Sequence, residues 1–331
     1  MARRRILLSK ARPARRRMAA HAGDDYGETA SPDWRSVDWR AHVHDTEVCG
    51  RQIRYVDIGE GDGPPVVFIH GLSGRWQNWL ENIPRVAAER RVVALDLPGF
   101  GGSQMPAEQT SITLYARVVD ELAERLGLGA VALVGNSMGG FTAAEIALRH
   151  PERAERMVLV SAAGISIAEL WPTPVRLALS LIGGRTPASG PQRRAVIARP
   201  RARQIAFGGV MRYPSRIAAD LMYEQICGMG TEGLIPAVDA LTSYDFRNDL
   251  RRIDCPTLIL HGRDDMLVPI ADASEFERSI PGSRTLIFDD TGHVPMIERP
   301  QTFNAELLAF LHAGGGAEFT RADATAQLER G

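Results

Sequence analysis

The chain has 331 residues, of which 44% are hydrophobic and 24% are charged, and its formal net charge at pH 7 is -1. A chain of this length and composition can bury one large core plus an insertion. The balanced charge excludes an overall field that would favour a nucleic acid or a membrane surface, and no apolar stretch reaches the length of a membrane span. We therefore predict no nucleic-acid partner and no integral membrane association.

The three cysteines, Cys49, Cys227 and Cys255, are an odd number without the spacing of a metal site. We interpret them as small buried thiols in a reducing compartment and predict a cytoplasmic protein with no metal and no cofactor.

The two ends of the chain differ from the rest in composition. Arginines and one lysine dominate the first 17 residues, which run into Gly, Asp, Ser and Pro without an apolar region long enough for a secretory signal. We predict that residues 1–32 are a disordered or misassigned basic extension, with Met18 as an alternative start. A basic arm for an anionic surface is the alternative. Residues 314–331 are predicted to be a flexible tail.

The apolar run Val66-Val67-Phe68-Ile69 predicts a buried strand, and the loop His70-Gly71-Leu72-Ser73-Gly74 follows it. Acyl transfer needs two hydrogen-bond donors for its oxyanion. The backbone N–H of Leu72 is our first choice for one of them, and that of Ser73 is the second. A strand end with a simple glycine turn would have the same sequence.

The pentapeptide Gly135-Asn136-Ser137-Met138-Gly139 follows the apolar run 130–134 and opens a helical pattern. This order predicts a strand, a sharp turn and a helix, with a serine exposed at the turn. Such a pentapeptide occurs by chance in roughly one chain of this length in ten, so its strand-helix context carries the interpretation. The Met138 N–H, at the helix N-terminus, is the second predicted oxyanion donor.

Nearly a third of the chain separates the strand pattern at 157–160 from the next one at 257, and it does not alternate between strand and helix. We predict a helical cap over residues 164–247, above the carboxyl ends of the strands. Its Trp171 and Leu177 are predicted to shape the substrate pocket, with packing between cap and core as the alternative. We interpret the arginines of the cap as mostly solvated surface side chains. One of them could reach a substrate carboxylate.

A serine nucleophile needs a histidine base and a carboxylate. In hydrolases with such a serine turn, the carboxylate follows the serine in the chain and the histidine follows the carboxylate. The strand pattern 257–261 leads into a loop with Asp264 and Asp265, and we prefer Asp265 for its spacing to Pro269. His293 lies in a loop after the strand pattern 285–288, so we predict it as the base. His312, at the end of an apolar helical pattern, is the weaker candidate.

Five motifs together resemble the α/β-hydrolase superfamily over about residues 48–312. They are His70-Gly71, Asp96-Leu97-Pro98-Gly99-Phe100-Gly101-Gly102-Ser103, Gly135-Asn136-Ser137-Met138-Gly139-Gly140, Gly262-Arg263-Asp264-Asp265 and Gly292-His293. The resemblance implies an α/β fold with a mostly parallel, doubly wound sheet and an inserted helical cap. We assign the core to residues 33–163 and 248–313.

Within that superfamily, the serine turn and the Asp-Leu-Pro-Gly-Phe-Gly loop are most similar to hydrolases of ring meta-cleavage products and their esterase relatives. The former often have a tryptophan after the histidine and a glycine-rich oxyanion loop, where this chain has Val294 and Leu72. Epoxide hydrolases and haloalkane dehalogenases attack with an aspartate, whereas this chain has Ser137.

The sequence therefore predicts a capped serine hydrolase with Ser137 as nucleophile, His293 as base and Asp265 as its orienting carboxylate. The predicted substrate is a small apolar carboxylic ester or related acyl compound. Carbon–carbon hydrolysis of a dienoic diketo acid is the first alternative, and a ligand receptor that retains the triad is the second. A homodimer is left open.

Overall fold

The computed structural model describes residues 25–169 and 190–313. Its centre is an eight-stranded sheet with the strand order β1-β2-β4-β3-β5-β6-β7-β8. The strands are β1 Val43–Val48, β2 Arg51–Ile58, β3 Val66–Ile69, β4 Val92–Leu95, β5 Val131–Asn136, β6 Ala154–Val160, β7 Thr257–Gly262 and β8 Arg284–Phe288. Only β2 pairs antiparallel, with β1 and β4, and the remaining pairs are parallel. The predicted mostly parallel sheet is confirmed.

The central strands are buried on both faces, which explains why they are continuous apolar runs rather than alternating ones. Every residue of β3, β4 and β5 is buried. Successive side chains point to opposite faces, so Leu133 belongs to one hydrophobic cluster and Val134 to the other. The sheet thus separates two cores, and the ends of its central strands are rigid positions for functional side chains.

Helices cover both faces of the sheet. They are α1 Ile83–Ala87, α2 Ile112–Arg125, α3 Met138–Arg149, α4 Gly190–Ile197, α5 Pro200–Phe207, α6 Ala219–Cys227, α7 Leu234–Ser243, α8 Ile270–Ser279, α9 Pro295–Glu298 and α10 Pro300–His312. Helix α2 begins where the Ser111 side chain accepts a hydrogen bond from the Leu114 N–H. On the other face, the rings of Trp79 and Phe303 meet at 6.3 Å between centroids. No helix among the described residues is long and apolar enough to cross a membrane.

Helices α4 to α7 lie between β6 and β7, within the predicted cap, and α6 and the start of α7 contact the loops after β3 and β4. The Gly233 N–H donates to the Gly99 carbonyl at 3.1 Å, and the Asn78 side-chain amide donates to Gln225 at 2.7 Å. These contacts place α6 and the start of α7 at the carboxyl ends of the strands. Trp171 and Leu177 lie outside the described residues, and the division into core and cap stays a prediction.

Residues 25–30, which lie within the predicted extension 1–32, pack against the rest of the chain. Tyr26 is only 3% exposed, its hydroxyl donates to the Glu298 carboxylate at 2.6 Å, and the Ala30 N–H donates to Glu81 at 2.7 Å. The segment packs because one aromatic ring and a few polar groups find buried partners, which an average over its polar composition does not reveal.

Candidate active site

Ser137 lies at the turn between β5 and α3, with φ 54° and ψ -115°. A positive φ is unusual for a residue with a Cβ, and such strain is typical of functional sites. Two glycines make the turn possible: a Cβ on Gly135 would lie 2.2 Å from the Gly139 carbonyl oxygen, and one on Gly139 would lie 2.1 Å from the Ile69 carbonyl oxygen. The Ser137 N–H donates to Val160 at 2.9 Å. The turn is therefore fixed by its neighbours and leaves Ser137 half-buried.

His293 follows β8 and Asp265 follows β7, and the two side chains meet. His293 Nδ1 lies 2.7 Å from Asp265 Oδ2, and the Asp265 side chain is fully buried. The other carboxylate oxygen accepts the N–H groups of Leu267 and Val268 at 2.8 and 2.9 Å. A carboxylate at Nδ1 assigns the proton to that nitrogen, which leaves Nε2 free to accept one.

The pKa of Asp265 is the result of opposing effects. Burial alone would raise this pKa, but the electrostatic interaction and hydrogen bond with His293, together with the other contacts, lower it below its usual value. The carboxyl is therefore ionised at neutral pH, as an orienting group for an imidazole must be.

Asp264 has different surroundings. Its Oδ2 lies 3.7 Å from the Arg212 Nε, and its N–H donates to the Thr291 carbonyl at 2.9 Å. Burial raises the pKa of this carboxyl, with Arg212 as the main opposing charge. The structure thus places Asp265, and not Asp264, against His293.

The serine turn and the histidine loop are joined by Asn136. Its side-chain amide donates to the carbonyls of Val160 at 3.1 Å and of His293 at 3.2 Å. The residue that precedes the serine therefore fixes the backbone of the histidine, and the two loops are held in one arrangement.

A second histidine, which the sequence analysis did not select, faces the same carboxylate. His261 Nε2 lies 3.1 Å from the Val268 carbonyl oxygen and 3.5 Å from Asp265 Oδ2. Burial lowers the pKa of His261, so the ring is neutral and its Nε2–H points at these oxygens. Its position at the end of β7, just before the acidic loop, was the signal that could have identified it.

The loop after β3 lies beside the nucleophile. A Cβ on Gly71 would be 3.1 Å from the Ser137 Cβ. His70 fixes this loop, because its Nε2 accepts the Leu97 N–H at 2.9 Å and its Nδ1 faces the Gly71 carbonyl at 2.7 Å. Burial lowers the pKa of His70 to about 4, so the ring is neutral and Nδ1 carries the proton.

The two predicted oxyanion donors, the N–H groups of Leu72 and Met138, flank the serine turn. Met138 is the first residue of α3, where an N–H has no partner within the helix. Among residues 25–169 and 190–313, neither N–H has a hydrogen-bond acceptor. Both are therefore available to a ligand oxygen.

An apolar cluster includes Leu72, in the loop after β3. Leu234 and Val238 of α7 pack together, with Leu72 and Ile167 against them. The cluster thus joins α7 to the loop after β3. Leu234 and Val238 lie four residues apart on one face of α7, but their contacts with Leu72 and Ile167 join segments distant in the chain and are not revealed by the sequence.

The part of the chain that the structure describes has no group of three or more His, Cys, Asp or Glu residues that could hold a metal ion.

A family model described as alpha/beta hydrolase fold matches residues 64–300. The chain belongs to this family. A curated relative, 2-hydroxy-6-oxo-2,4-heptadienoate hydrolase from Pseudomonas putida, is 33% identical over 270 residues, which cover 78% of this chain and 91% of the relative.

Solved structures of related proteins are similar to this chain in fold, and each match covers most of both chains. A meta-cleavage product hydrolase from Pseudomonas fluorescens has a TM-score of 0.63 and 27% identity, and the match covers 81% of this alpha/beta hydrolase and 97% of that chain. A membrane phospholipase A has a TM-score of 0.66 and 26% identity, with 83% and 87% coverage. The relatives therefore include both carbon–carbon and ester hydrolases.

Proposed function

We propose that this alpha/beta hydrolase cleaves a carboxylic ester through an acyl-enzyme, with Ser137, His293 and Asp265 as its triad. The observation that carries the proposal is the 2.7 Å contact between His293 Nδ1 and a buried, ionised Asp265, joined by Asn136 to a serine on a strained strand-helix turn. An imidazole held in this tautomer can take a proton from a serine hydroxyl.

In the first half of the reaction, the Ser137 oxygen attacks the ester carbonyl carbon while His293 Nε2 takes the hydroxyl proton. The carbonyl oxygen gains negative charge, which the N–H groups of Leu72 and Met138 stabilise. When the bond to the leaving oxygen breaks, His293 donates the proton to that oxygen, and an alcohol departs. The acyl group stays on Ser137.

In the second half, water takes the place of the alcohol. His293 accepts a proton from the water as its oxygen attacks the acyl carbon, and the same two N–H groups stabilise the new oxyanion. The proton then returns to the Ser137 oxygen as its bond to the acyl carbon breaks. The products are a carboxylic acid and the free enzyme.

The apolar cluster of Leu72, Ile167, Leu234 and Val238 supports an apolar acyl or alcohol group in the substrate. Trp171 and Leu177 stay predicted pocket residues. The cytoplasmic localisation and a homodimer likewise stay proposals drawn from the sequence.

Hydrolysis of a carbon–carbon bond in a dienoic diketo acid is the second candidate, and it is favoured by the 33% identity to the heptadienoate hydrolase. Such a substrate carries a carboxylate, which an arginine would bind. Arg75 and Arg212, on segments beside the site, are each already paired with acidic side chains of the protein, Arg75 with Glu224 and Arg212 with Asp264 and Asp290. This pairing is why we rank ester cleavage first.

Turnover measurements separate the candidates. We expect the purified protein to hydrolyse p-nitrophenyl esters of graded chain length with a higher kcat/KM than a meta-cleavage product. A serine-directed fluorophosphonate should label Ser137, and the Ser137→Ala variant should lose both labelling and turnover. Faster turnover of the meta-cleavage product would favour the second candidate. Binding without turnover of either class would instead indicate the receptor.

A further inference from the structure

Residues 25–30 contact the histidine loop through one buried carboxylate, that of Glu298. The Glu298 side chain lies at the end of α9 and is 0% exposed. It accepts the Tyr26 hydroxyl at 2.6 Å and the Arg212 N–H at 2.7 Å. The Gly27 N–H donates to the Glu298 carbonyl at 2.8 Å, so this segment is bound to both the side chain and the backbone of the same residue.

The same carboxylate holds the backbone on both sides of His293. It accepts the Gly292 N–H at 2.9 and 3.0 Å and the Val294 N–H at 3.3 Å. The His293 N–H itself donates to the Val210 carbonyl at 2.7 Å, two residues before Arg212. Three consecutive backbone N–H groups around the base are therefore fixed by Glu298 and by the segment that Glu298 binds.

The direction of the hydrogen bonds shows that Tyr26 belongs to this arrangement. The Tyr213 N–H donates to the Tyr26 oxygen at 2.7 Å, which leaves the Tyr26 proton for Glu298. Four groups face the carboxylate, and all of them are donors. They are the Tyr26 hydroxyl and the N–H groups of Arg212, Gly292 and Val294. Only an acceptor with two oxygens satisfies them. Without the Tyr26 hydroxyl, Glu298 loses one donor and Tyr213 loses its acceptor.

Tyr26 lies outside the 64–300 range of the family match, whereas His293 and Glu298 lie within it. We propose that residues 25–30 position the active site, with Tyr26 acting through Glu298 to hold the backbone of His293. The proposal rests on the proposed function of His293 as the base. Tyr26 and Glu298 are positioning residues, since neither contacts the reacting atoms.

The test is the Tyr26→Phe variant, which removes the hydroxyl and keeps the ring. The ring contacts with Tyr213 and with the guanidinium groups of Arg216 and Arg299 are thereby retained. We expect kcat to fall about tenfold with KM changed less than about twofold, a smaller loss than the roughly 100-fold that a 1 Å misplacement can cost. The rate of fluorophosphonate labelling at Ser137 should fall by the same factor, while its end point stays at one label per chain.

Tyr115→Phe is the matched control. Its hydroxyl is also buried, in α2 under the opposite face of the sheet, and it has no hydrogen-bond partner among the described residues. The same single oxygen is removed, and we expect kcat, KM and labelling rate to be unchanged. A purely structural role for Tyr26 would lower the melting temperature and leave the kinetics of the folded molecules equal to this control, and that result would overturn the proposal.

The Nδ1 proton resonance of His293 provides a measurement that does not depend on turnover. It reports the geometry of the bond to Asp265, and its assignment follows from its loss in His293→Gln. We expect Tyr26→Phe to shift or broaden it and Tyr115→Phe to leave it unchanged. If the wild-type protein hydrolyses neither substrate class, the proposed function fails, and this resonance alone decides the positioning role: an unchanged signal in Tyr26→Phe refutes it.

Discussion

Replacing Asp265 with asparagine is expected to abolish most activity while leaving the shape of the site intact. One oxygen of the side chain accepts two backbone N–H groups at 2.8 and 2.9 Å. The amide oxygen of an asparagine must stay there, because an NH₂ group would face two donors. The NH₂ group is then directed at His293 Nδ1, 2.7 Å away in the wild type.

This orientation forces the imidazole into the other tautomer. Nδ1 becomes the acceptor and Nε2 carries the proton, so the ring can no longer take a proton from Ser137. The equivalent change in serine proteases lowers kcat roughly 10⁴-fold, which corresponds to about 5 kcal/mol of transition-state stabilisation. We expect a loss of that order in kcat on a p-nitrophenyl ester, with little change in KM.

Asp264→Asn is the matched control, since it makes the same change one residue earlier in the same loop. Asp264 is partly exposed and 3.7 Å from Arg212, and partly exposed ion pairs contribute about 1 kcal/mol or less. We expect less than a tenfold change in kcat. An Asp265→Asn variant within tenfold of wild type, or an equal loss in Asp264→Asn, would refute this account of the triad.

Three further predictions concern stability and specificity. Ser137→Gly should raise the free energy of unfolding by about 1 kcal/mol in denaturant titrations while abolishing turnover, because glycine adopts φ 54° without strain; an unchanged stability would argue against strain. The pKa of His70 is lowered to about 4 in the folded protein, so the unfolded chain takes up the proton first as pH falls. The free energy of unfolding should therefore decrease by about 3 kcal/mol between pH 6.5 and pH 4. Asp96 contributes in the opposite direction, because burial raises its pKa to about 6. This contribution is common to wild type and His70→Gln, so the difference in stability between the two proteins isolates His70. Parallel curves of stability against pH would contradict the prediction. Leu234→Ala and Val238→Ala should each move the preferred ester chain length by one or two carbons, at about 1–3 kcal/mol per methylene; a uniform loss over all lengths would instead indicate packing alone.

The sequence was most informative where one physical requirement decides the residue types. Strands buried on both faces must be apolar throughout, so β3, β5 and β7 could be recognised with their loops in chain order. The turn at Ser137 allows no Cβ at Gly135 or Gly139, which is why its pentapeptide predicted a strand-helix turn. The choice of Asp265 over Asp264 rested on spacing to Pro269, and the structure places only Asp265 at His293.

The remaining features depend on partners that are distant in the chain. The pairing of Leu234 and Val238 with Leu72 combines an inserted helix with the loop after β3, and no local pattern encodes such a contact. Tyr26 is a single aromatic residue in a polar region, and its partner is 272 positions away. Sequence patterns predict local structure and burial, but they do not identify which two buried polar groups will meet.

The contact between Tyr26 and Glu298 also constrains the order of events during synthesis. At about 5–20 residues per second, the ribosome adds the intervening 272 positions in roughly 15–55 seconds. Tyr26 therefore leaves the ribosome long before its acceptor exists, while the central strands and the serine turn can already associate. His293 and the Glu298 carboxylate that holds its backbone are synthesised after the serine turn, so a nascent chain that ends before α9 lacks the proposed support of the histidine loop.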